Sequence, residues 1–456
     1  MKCLVLAAGI GKRMKSRYSK VLHPVCGKPM IEWVLRAVQS VASEIAVVLG
    51  HRADEVRTVL PQNIKVFIQS QQLGTAHAVM CAKQFVFPAE DLLVVYGDTP
   101  LLRSETLEKC LKVHRREKPD VTIISTRMSD PSGYGRVVRD GCGSFQQVIE
   151  ERDIEEFDRS LNEVNTGVYI FRGAALLECL PKVTNNNSQQ EYYLTDVLHK
   201  VRKVTIFEAE DSQEFLGVNT RVQLAEAERI MRMRICERMM LQGVTIVDPN
   251  NTYIDDDVVV GRDTTIYPMT FLMGRTVVGE GCSIGPMTRI KDCKIGDDAT
   301  VISSDCVGAE ISDGVTVGPF ARLREGTVLK RDVKIGNFVE VKKSVLNKGT
   351  KAQHLAYLGD STIGKGVNIG AGTITCNFDG VNKNPTVIED NVFVGSNTSL
   401  VAPVKIGNNS VVGAGSVITK DVPPHSLAIG RARQVIKEGR FLKKHERRMG
   451  DAISEK

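Results

Sequence analysis

The hydrophobic and polar positions of this 456-residue chain follow two different patterns, one in each half. In the first half, apolar runs alternate with amphipathic stretches of helical period. The apolar runs are Cys3 to Ala7, Glu44 to Leu49, Ile64 to Ile68, Asp91 to Tyr96 and Val121 to Thr126, and the amphipathic stretches are Pro29 to Val41, Thr75 to Phe85 and Ser104 to His114. Strands that alternate with helices predict an α/β domain with a mostly parallel sheet covered on both faces. In such sheets, ligands bind at the carboxyl ends of the strands.

The second half repeats an aliphatic residue at every sixth position. The longest run is Ile388, Val394, Leu400, Ile406, Val412 and Ile418, and the shorter runs before it are Val260, Ile266, Leu272; Val278, Ile284, Ile290; Ile295, Val301, Val307; Ile311, Val317, Leu323, Leu329; Ile335, Val341; and Ile363, Ile369, Thr375. A period of six fits neither an alternating strand nor a helix. It indicates one inward residue per short strand in a triangular coil, repeated about nine times at about 4.8 Å per layer.

Two breaks in the six-residue pattern and one long charged stretch complete the organisation. The breaks, Leu346 to Leu358 and Asn377 to Thr386, are expected to loop outward, and loops on a rigid scaffold often carry function. The stretch Arg221 to Leu241 contains no Gly or Pro and predicts a stiff helix between the halves. We therefore expect a domain at residues 1–228, a helical linker at 229–250, and a repeat domain with a basic tail at 251–456.

Charge and composition exclude several classes of protein. The net charge is +6, from 60 Lys and Arg against 54 Asp and Glu, and most of that excess lies after Arg431. Because the rest of the chain is almost neutral, we expect no broad nucleic-acid-binding face, and the tail is interpreted as a solvated end or as a contact for phosphates. No apolar stretch approaches 18 residues, so we expect no membrane span. The start of the chain is typical of a strand followed by Gly9 and Gly11, not of a signal peptide.

The eleven cysteines are odd in number and never spaced as Cys-x-x-Cys. This spacing favours neither a disulfide framework nor a zinc site, and it fits a reducing cytoplasm.

A glycine-rich turn follows the first predicted strand. It has the sequence Leu6-Ala7-Ala8-Gly9-Ile10-Gly11-Lys12-Arg13-Met14, and Lys20 comes six residues later. Glycines let backbone N–H groups approach phosphate oxygens, and cations stabilise the charge that develops as a phosphoryl bond breaks. Taken alone, the turn fits a plain strand-to-helix connection equally well.

A second candidate group ends another strand, at Tyr96-Gly97-Asp98-Thr99-Pro100. An aspartate at the carboxyl end of a strand is a candidate Mg²⁺ ligand, although such a residue also serves as a helix cap.

These motifs together resemble the signature of sugar-1-phosphate nucleotidylyltransferases, whose fold is Rossmann-like. The resemblance implies Arg13 and Lys20 as catalytic residues and Asp98 and Asn219 as Mg²⁺ ligands. It also implies a site for UTP and UDP-N-acetylglucosamine at Leu6, Ala7, Ala8, Gly9, Lys20, Gln69, Gly74, Thr75, Tyr96, Gly97, Asp98, Gly135, Glu150, Asn165 and Asn219. The reaction implied is an in-line displacement on the α-phosphorus of UTP by a sugar-1-phosphate oxygen, with pyrophosphate leaving.

The first break in the repeats carries a histidine, His354, followed three residues later by Tyr357. Arg322 and Arg324 precede it and Lys342 and Lys343 lie nearby. Cations to hold a phosphate and a base near neutrality suit acyl transfer to an amino sugar. The rival interpretation is the charged outer face of a solenoid, with a histidine that is only structural or exposed.

From Met1 to about Arg431 the chain resembles the bacterial bifunctional N-acetylglucosamine-1-phosphate uridylyltransferase and glucosamine-1-phosphate acetyltransferase. That family joins the first domain to a left-handed parallel β-helix of hexapeptide repeats, which forms a homotrimer. The resemblance implies His354 as the base and amino-sugar phosphate contacts at Arg324, Glu340, Lys342, Tyr357 and Asn368. It implies acetyl-CoA contacts at Ala371, Asn377, Phe378, Ser396, Ala414 and Arg431. The final product would be UDP-N-acetylglucosamine, for peptidoglycan and lipopolysaccharide precursors.

Two departures from the family pattern are visible. Lys12 stands where the family has Thr, which adds charge near the phosphates, and Phe378 replaces a common Tyr. Two alternatives stay open: a nucleotidylyltransferase whose coils only assemble or regulate it, and a scaffold without catalysis. The substrates expected for the main interpretation are glucosamine-1-phosphate, N-acetylglucosamine-1-phosphate, UTP and acetyl-CoA, with Mg²⁺ as cofactor.

Overall fold

The computed structural model describes residues 1–154 and 160–440. They divide into two compact units. The first contains Met1–Met239 and Tyr253–Asp257, and the second contains Met240–Thr252 and the chain from Val258 onward.

The first unit is built around a nine-stranded sheet. Its strands are β1 (Lys2–Ala7), β2 (Glu44–Leu49), β3 (Lys65–Ile68), β4 (Asp91–Tyr96), β5 (Val121–Arg127), β6 (Arg136–Arg139), β7 (Phe145–Ile149), β8 (Glu163–Arg172) and β9 (Val204–Ala209). Its helices are α1 (Met30–Val38), α2 (Ala53–Arg57), α3 (Thr75–Cys81), α4 (Ser104–Glu117), α5 (Gly173–Cys179) and α6 (Arg221–Leu241). A hairpin of two short strands, Pro24–Val25 and Lys28–Pro29, precedes α1.

The strand order is β9-β5-β8-β4-β1-β2-β3, and β6 joins β8 to β7. All neighbours on the main path are parallel except β8, which runs antiparallel to both β4 and β5. The mostly parallel α/β sheet predicted from the sequence is therefore confirmed. The antiparallel β8, the β6–β7 hairpin and the edge strand β9 were not predicted.

Alternate residues of the central strands face two separate cores. Leu4 and Leu6 of β1 pack in one core, whereas Cys3 and Val5 pack in the other. Because β1 and β4 are parallel and pair Leu6 with Tyr96, their following loops emerge at the same edge of the sheet. That edge is where the glycine-rich turn and Asp98 lie.

The second unit is a parallel β-helix with three faces. The first face consists of Thr245–Ile246, Thr265–Ile266, Ser283–Ile284, Thr300–Val301, Thr316–Val317, Lys334–Asn337, Lys351–His354, Asn368–Ile369, Phe393–Val394, Val411–Val412 and Leu427–Ala428. The second face consists of Thr252–Ile254, Thr270–Met273, Arg289–Lys291, Asp305–Val307, Arg322–Leu323, Glu340–Lys342, Tyr357–Gly359, Ile374–Cys376, Ser399–Val401 and Val417–Ile418. Its first strand, Thr252–Ile254, spans the boundary between the two units in the chain. The third face consists of Val259–Val260, Val277–Val278, Lys294–Ile295, Glu310–Ile311, Val328–Leu329, Val345–Leu346, Ser361–Ile363, Thr386–Ile388 and Val404–Ile406.

The six-residue ladder forms the interior of this β-helix. Val394, Leu400 and Val412 each expose 0% of their surface, and the parallel register runs from coil to coil along each face. The left-handed parallel β-helix of hexapeptide repeats is therefore the fold of the second half.

Two details of the predicted repeat were wrong. Val307 is half-buried, and Cys306 is the inward residue that pairs with Ile290, because the step from the inward Val301 to Cys306 is five residues and not six. The stretch Leu346 to Leu358 does not loop outward either.

That stretch is a regular part of the coil. Leu346, Ala352 and Leu358, six residues apart, each expose 0% of their surface. The repeat was not recognised in the sequence because its inward residue, Ala352, is smaller than the aliphatic residues at the equivalent positions. The second predicted loop, Asn377 to Thr386, does leave the coil, as a hairpin in which Phe378 bridges to Lys383.

Candidate active sites

The glycine-rich turn after β1 lines a cavity of about 520 Å³ at the carboxyl edge of the sheet. Its lining residues are Leu6, Ala7, Ala8, Gly9, Ile10, Lys12, Lys20, Val21, Gln69, Gln72, Gly74, Thr75, Ala78, Tyr96, Asp98 and Glu191. Ten of the residues predicted to bind the nucleotide sugar are in this set. The cavity is thus the candidate nucleotide site.

Lys20 connects the two predicted metal ligands. Its Nζ donates to Oδ2 of Asp98 and, at 3.0 Å, to Oδ1 of Asn219. The backbone N–H of Val218 donates to the Asp98 carbonyl at 2.9 Å, which fixes the loop of Asn219 beside the end of β4. Two side chains 121 positions apart in the chain therefore direct oxygens at one cation.

A carboxylate and an amide oxygen suit Mg²⁺, which binds one or two protein oxygens together with waters and substrate phosphates. Asp98 and Asn219 fit this donor set, because both already direct oxygens at one positive charge. Within residues 1–154 and 160–440, no three His, Cys, Asp or Glu side chains group closely enough to hold a metal ion by themselves.

Gly11 sets the position of Lys20. Its backbone is left-handed, with φ of 68°, and a Cβ there would lie 2.9 Å from Cβ of Lys20. A side chain at this position would strain the turn and displace the lysine. The glycine therefore allows the turn and the lysine to pack together.

Hydrogen bonds and close packing fix three residues of the predicted nucleotide-sugar site, Gln69, Gly74 and Thr75. Nε2 of Gln69 donates to the carbonyl of Gly74 at 3.0 Å and lies 3.0 Å from Nδ1 of His77. Gly74 has φ of 109°, and a Cβ there would lie 2.5 Å from the carbonyl oxygen of Tyr192. Thr75 accepts from the backbone N–H of Leu194 at 2.9 Å.

Gly135, Glu150 and Asn165, which also belong to the predicted nucleotide-sugar site, lie close together. The backbone N–H of Asn165 donates to the Gly135 carbonyl at 2.8 Å, and a Cβ on Gly135 would lie 3.6 Å from Oε2 of Glu150. Glu150 accepts from Thr195 Oγ1 at 2.7 Å, and burial raises the pKa of this carboxyl. Tyr96 packs so closely on Gly167 that a Cβ there would lie 2.1 Å from its ring.

Other predicted residues of the first unit lie nearby without lining the cavity. Gly97 donates its N–H to the Leu6 carbonyl at 2.9 Å, and Arg13 is exposed on the short helical turn Lys12–Met14. Sequence reasoning missed Glu191, which lines the cavity, and Thr195, which holds Glu150. No motif signals either residue: Glu191 lies in a loop and Thr195 in the short helical turn Leu194–Val197, both far along the chain from the glycine-rich turn.

His354 ends a strand of the first face, with an exposed side chain. Its Nδ1 lies 3.1 Å from Oδ1 of Asn337, the residue that pairs with it on the preceding coil. Because an amide oxygen only accepts, this bond places the ring hydrogen on Nδ1 and leaves the lone pair on Nε2. The sequence analysis did not predict Asn337. The signal that could have identified it is its position 17 residues, or one coil, before His354.

Most of the predicted acetyl-CoA residues form a column beyond His354. Backbone bonds connect successive coils at this corner: Gly372 N to Leu355 O at 2.7 Å, Asn397 N to Ala371 O at 2.7 Å, and Gly415 N to Ser396 O at 2.8 Å. Nη1 of Arg431 donates to the Ala414 carbonyl at 2.8 Å. Ala371, Ser396, Ala414 and Arg431 are therefore aligned along one edge of the coil.

Asn377 belongs to a different group, which contains Asp360 and two of the residues predicted to bind the amino-sugar phosphate, Lys342 and Tyr357. Its Nδ2 donates to Asp360 and contacts Oη of Tyr357 at 3.4 Å, and Lys342 Nζ lies 3.6 Å from Oδ2 of Asp360. A Cβ on Gly359 would lie 2.5 Å from Oη of Tyr357, so glycine is required beneath the ring. Sequence reasoning gave Asp360 no role.

The remaining predicted residues surround these two groups. Arg324 Nη1 donates to Glu340 Oε1 at 2.9 Å, and Glu340 pairs with Tyr357 in the second face. Asn368 lies on the first face, in register with Lys351. Phe378 is 54% exposed on the hairpin, with Nζ of Lys383 3.9 Å from its ring centre.

Part of the basic tail, residues 441–456, lies outside the described residues. In the described ranges, no helix combines the length and the apolar character that crossing a membrane requires.

Comparisons with known proteins agree with both halves. Residues 3–164 match the model of the MobA-like NTP transferase domain, and residues 385–420 match the hexapeptide repeat of succinyl-transferase. The bifunctional protein GlmU of Thermotoga petrophila is 56% identical over 98% of this chain and 100% of its own length. GlmU of Pseudothermotoga lettingae is 56% identical over 96% and 97%, and GlmU of Caldanaerobacter subterraneus is 50% identical over 96% of both chains. The chain therefore belongs to the GlmU family of bifunctional proteins.

Proposed function

We propose that this bifunctional enzyme makes UDP-N-acetylglucosamine by two transfers at two separate sites. The second unit moves an acetyl group from acetyl-CoA to glucosamine-1-phosphate. The first unit then transfers the uridylyl group of UTP to N-acetylglucosamine-1-phosphate and releases pyrophosphate. We assign the uridylyl reaction to residues 1–228, the linker to 229–250 and the acetyl reaction to 251–456.

One observation carries the uridylyl assignment: Lys20 bonds to both Asp98 and Asn219 at the mouth of the phosphate-binding turn. Asp98 and Asn219 would hold Mg²⁺, which when bound neutralises charge on the phosphates. Backbone N–H groups of the turn orient the phosphate chain of UTP. Lys20 and Arg13 stabilise negative charge as the sugar phosphate oxygen bonds to the α-phosphorus and the bond to pyrophosphate breaks.

In the acetyl reaction, His354 is the general base. The substrate nitrogen attacks the thioester carbon of acetyl-CoA, the C–S bond breaks, and the thiolate of coenzyme A leaves. Nε2 of His354 takes the proton that the nitrogen loses, because Asn337 keeps the other hydrogen on Nδ1. Arg324, Lys342, Tyr357 and Asn368 would hold the sugar phosphate, and Glu340 orients Arg324.

The column beyond His354 would bind acetyl-CoA. Small side chains at Ala371, Ser396 and Ala414 leave the edge of the coil accessible to an extended pantetheine arm, and Arg431 adds a cation for the phosphates. Asn377 and Phe378 would contact the acetyl end from the hairpin.

We also propose that the chain forms a homotrimer. Phe320, Phe338 and Leu355, which we call the apolar ridge, are 57%, 58% and 63% exposed at one corner of successive coils. The rings of Phe320 and Phe338 are stacked with centres 5.6 Å apart. Large exposed apolar side chains in contact indicate a surface that another subunit covers, next to His354. All eleven cysteines are free, which supports a reducing cytoplasm as the location.

An end-product assay tests both assignments. With glucosamine-1-phosphate, acetyl-CoA, UTP and Mg²⁺ present, we expect UDP-N-acetylglucosamine, and omission of any one component prevents its formation. His354→Ala should abolish acetyl transfer while uridylyl transfer from supplied N-acetylglucosamine-1-phosphate stays normal. Asp98→Ala should do the reverse. Parallel loss of both activities in either variant would contradict two independent sites.

A further inference from the structure

Arg221, the first residue of α6, connects two loops of the uridylyl site that are distant in sequence. Its Nε donates to the carbonyl of Met14 at 3.3 Å, and its Nη1 lies 3.2 Å from Nδ1 of His23. Met14 ends the turn that carries Lys12 and Arg13, and His23 follows the short helical turn Lys20–Leu22. One guanidinium therefore spans the loop of Arg13 and the loop of Lys20.

The start of α6 is itself fixed. Oε1 of Gln223 accepts from the backbone N–H groups of Asn219 and Thr220 at 2.8 and 3.1 Å, and the N–H of Gln223 donates to Thr220 Oγ1 at 3.2 Å. This reciprocal pair is a capping box, which satisfies the free N–H groups at a helix start. Arg221 thus projects from the same rigid turn that presents Asn219 to Lys20.

The bond to His23 requires a neutral ring. A guanidinium only donates, so Nδ1 must carry the lone pair and Nε2 the hydrogen. The ring is 5% exposed, and burial together with the charge of Arg221 lowers the pKa of His23. Nε2 is buried and has no hydrogen-bond partner among the described residues. An unpaired buried N–H is unfavourable, and an apolar side chain at this position would avoid that cost.

We propose that Arg221 and His23 are positioning residues for uridylyl transfer, which hold the loop of Arg13 and the loop of Lys20 at the separation that the transition state needs. The inference rests on the proposed function of the first unit. Because small displacements of catalytic groups affect the reacting geometry more than binding, removal of this bridge should lower kcat more than it raises KM.

The first test compares Arg221→Met with Arg229→Met. Arg229 lies on the same helix, and within the described part of the chain its ion pair is local, with Glu226 at 2.6 Å, so it is the matched control. We expect Arg221→Met to lower kcat for uridylyl transfer roughly 10- to 100-fold with KM for UTP changed less than about threefold. Arg229→Met should keep the normal kcat. Acetyl transfer by the same chains, and the fluorescence of the single Trp33, report folding of the two units.

The second test changes the acceptor. His23→Asn keeps an acceptor at the position of Nδ1, whereas His23→Leu removes it and also removes the unpaired N–H. We expect His23→Asn to keep kcat within about threefold of the wild-type value. His23→Leu should lower kcat by the same factor as Arg221→Met. The double variant Arg221→Met, His23→Leu should have a kcat no lower than that of either single variant, because each substitution removes the same bridge.

Equal kcat values for His23→Asn and His23→Leu would overturn the proposal, and so would multiplied losses in the double variant. If Arg221→Met does not fold, the two His23 variants decide the question. A wild-type chain without uridylyl transfer would refute the proposed function, whereas an active wild type with an unaffected Arg221→Met refutes only the positioning role.

Discussion

Single residues of the two sites depend on neighbours that the motifs do not contain. The bond of Asn337 to His354 and the bridge from Arg221 to His23 both join residues from separate segments. Motifs predicted the residues with chemistry of their own, such as Asp98 and Lys20. They did not predict the partners, because a partner is defined by register or by chain crossing and not by its type.

Gly11 offers the most direct test of a glycine at the uridylyl site. Gly11→Ala combines a strained left-handed backbone with a Cβ 2.9 Å from that of Lys20. We expect uridylyl kcat to fall at least about tenfold, since a displacement near 1 Å has effects of that order. Acetyl transfer should be unchanged. Gly141→Ala, where a Cβ meets nothing within 4 Å, is the control, and an equal loss in both variants would exclude a specific role for Gly11.

Glu150 should make the stability of the first unit depend on pH. Burial raises the pKa of this carboxyl above its value in the unfolded chain. The contribution of Glu150 to the free energy of unfolding is therefore fully present below the pKa of the carboxyl in the unfolded chain, and it is lost as the pH rises through the pKa in the folded chain. Glu150→Gln should raise Tm relative to the wild type at neutral pH, and the difference should vanish near pH 4.

Thermal unfolding of both chains between pH 4 and pH 8 measures this effect. The exposed Glu108 provides the control substitution, Glu108→Gln. A Tm difference for Glu150→Gln that does not change across this range would contradict the role of burial.

At the level of elements, the pattern predicted most strands within one or two residues. The helix α6 begins and ends at the predicted residues, Arg221 and Leu241. The direction of β8 was not predictable, since a strand buried on both faces has the same apolar pattern whether it runs parallel or antiparallel. The coil at Ala352 was missed for a different reason: a small inward residue carries no aliphatic signal.

The boundary of the first compact unit predicts which of two truncated first domains is the more stable. Ile235 and Met239 of α6 are 2% and 3% exposed, and Asp256 accepts from Arg36 at 2.6 Å and from Arg238 at 3.1 Å. A fragment that ends at Asp257 keeps these groups, whereas one that ends at Arg229 loses them. Burial of one such side chain contributes about 1.5–3 kcal/mol, so the longer fragment should have the higher Tm.

Thermal unfolding of the two fragments, with uridylyl activity as a second measure, checks this expectation. Equal Tm values would mean that the end of α6 adds nothing to the first unit. In that case the linker would begin near Arg229.

At the level of the whole molecule, the apolar ridge provides a test of the homotrimer. Phe338 has φ of 58°, a left-handed conformation that aspartate adopts more readily than phenylalanine. Phe338→Asp should therefore leave the coil folded while it places a charge in the proposed interface. We expect the chain to become monomeric and to lose acetyl transfer at least about tenfold, with uridylyl transfer unchanged.

Light scattering measures the mass of the variant, and Val381→Asp serves as the control because Val381 is 84% exposed on the hairpin. A variant that keeps the wild-type mass would place the subunit contact on another surface. A wild-type chain that is monomeric would refute the homotrimer directly.

The ladder of the second unit also has a consequence for how its coils open. Among the described residues, each coil bonds to the coils before and after it, so local unfolding is expected to begin at the ends and to progress inward. The strand of His354 is the seventh of eleven on the first face, with coils on both sides. Amide hydrogen exchange should therefore be slowest around His354 and faster toward Leu427. The proposed acetyl site would then stay intact while the terminal coils open and close.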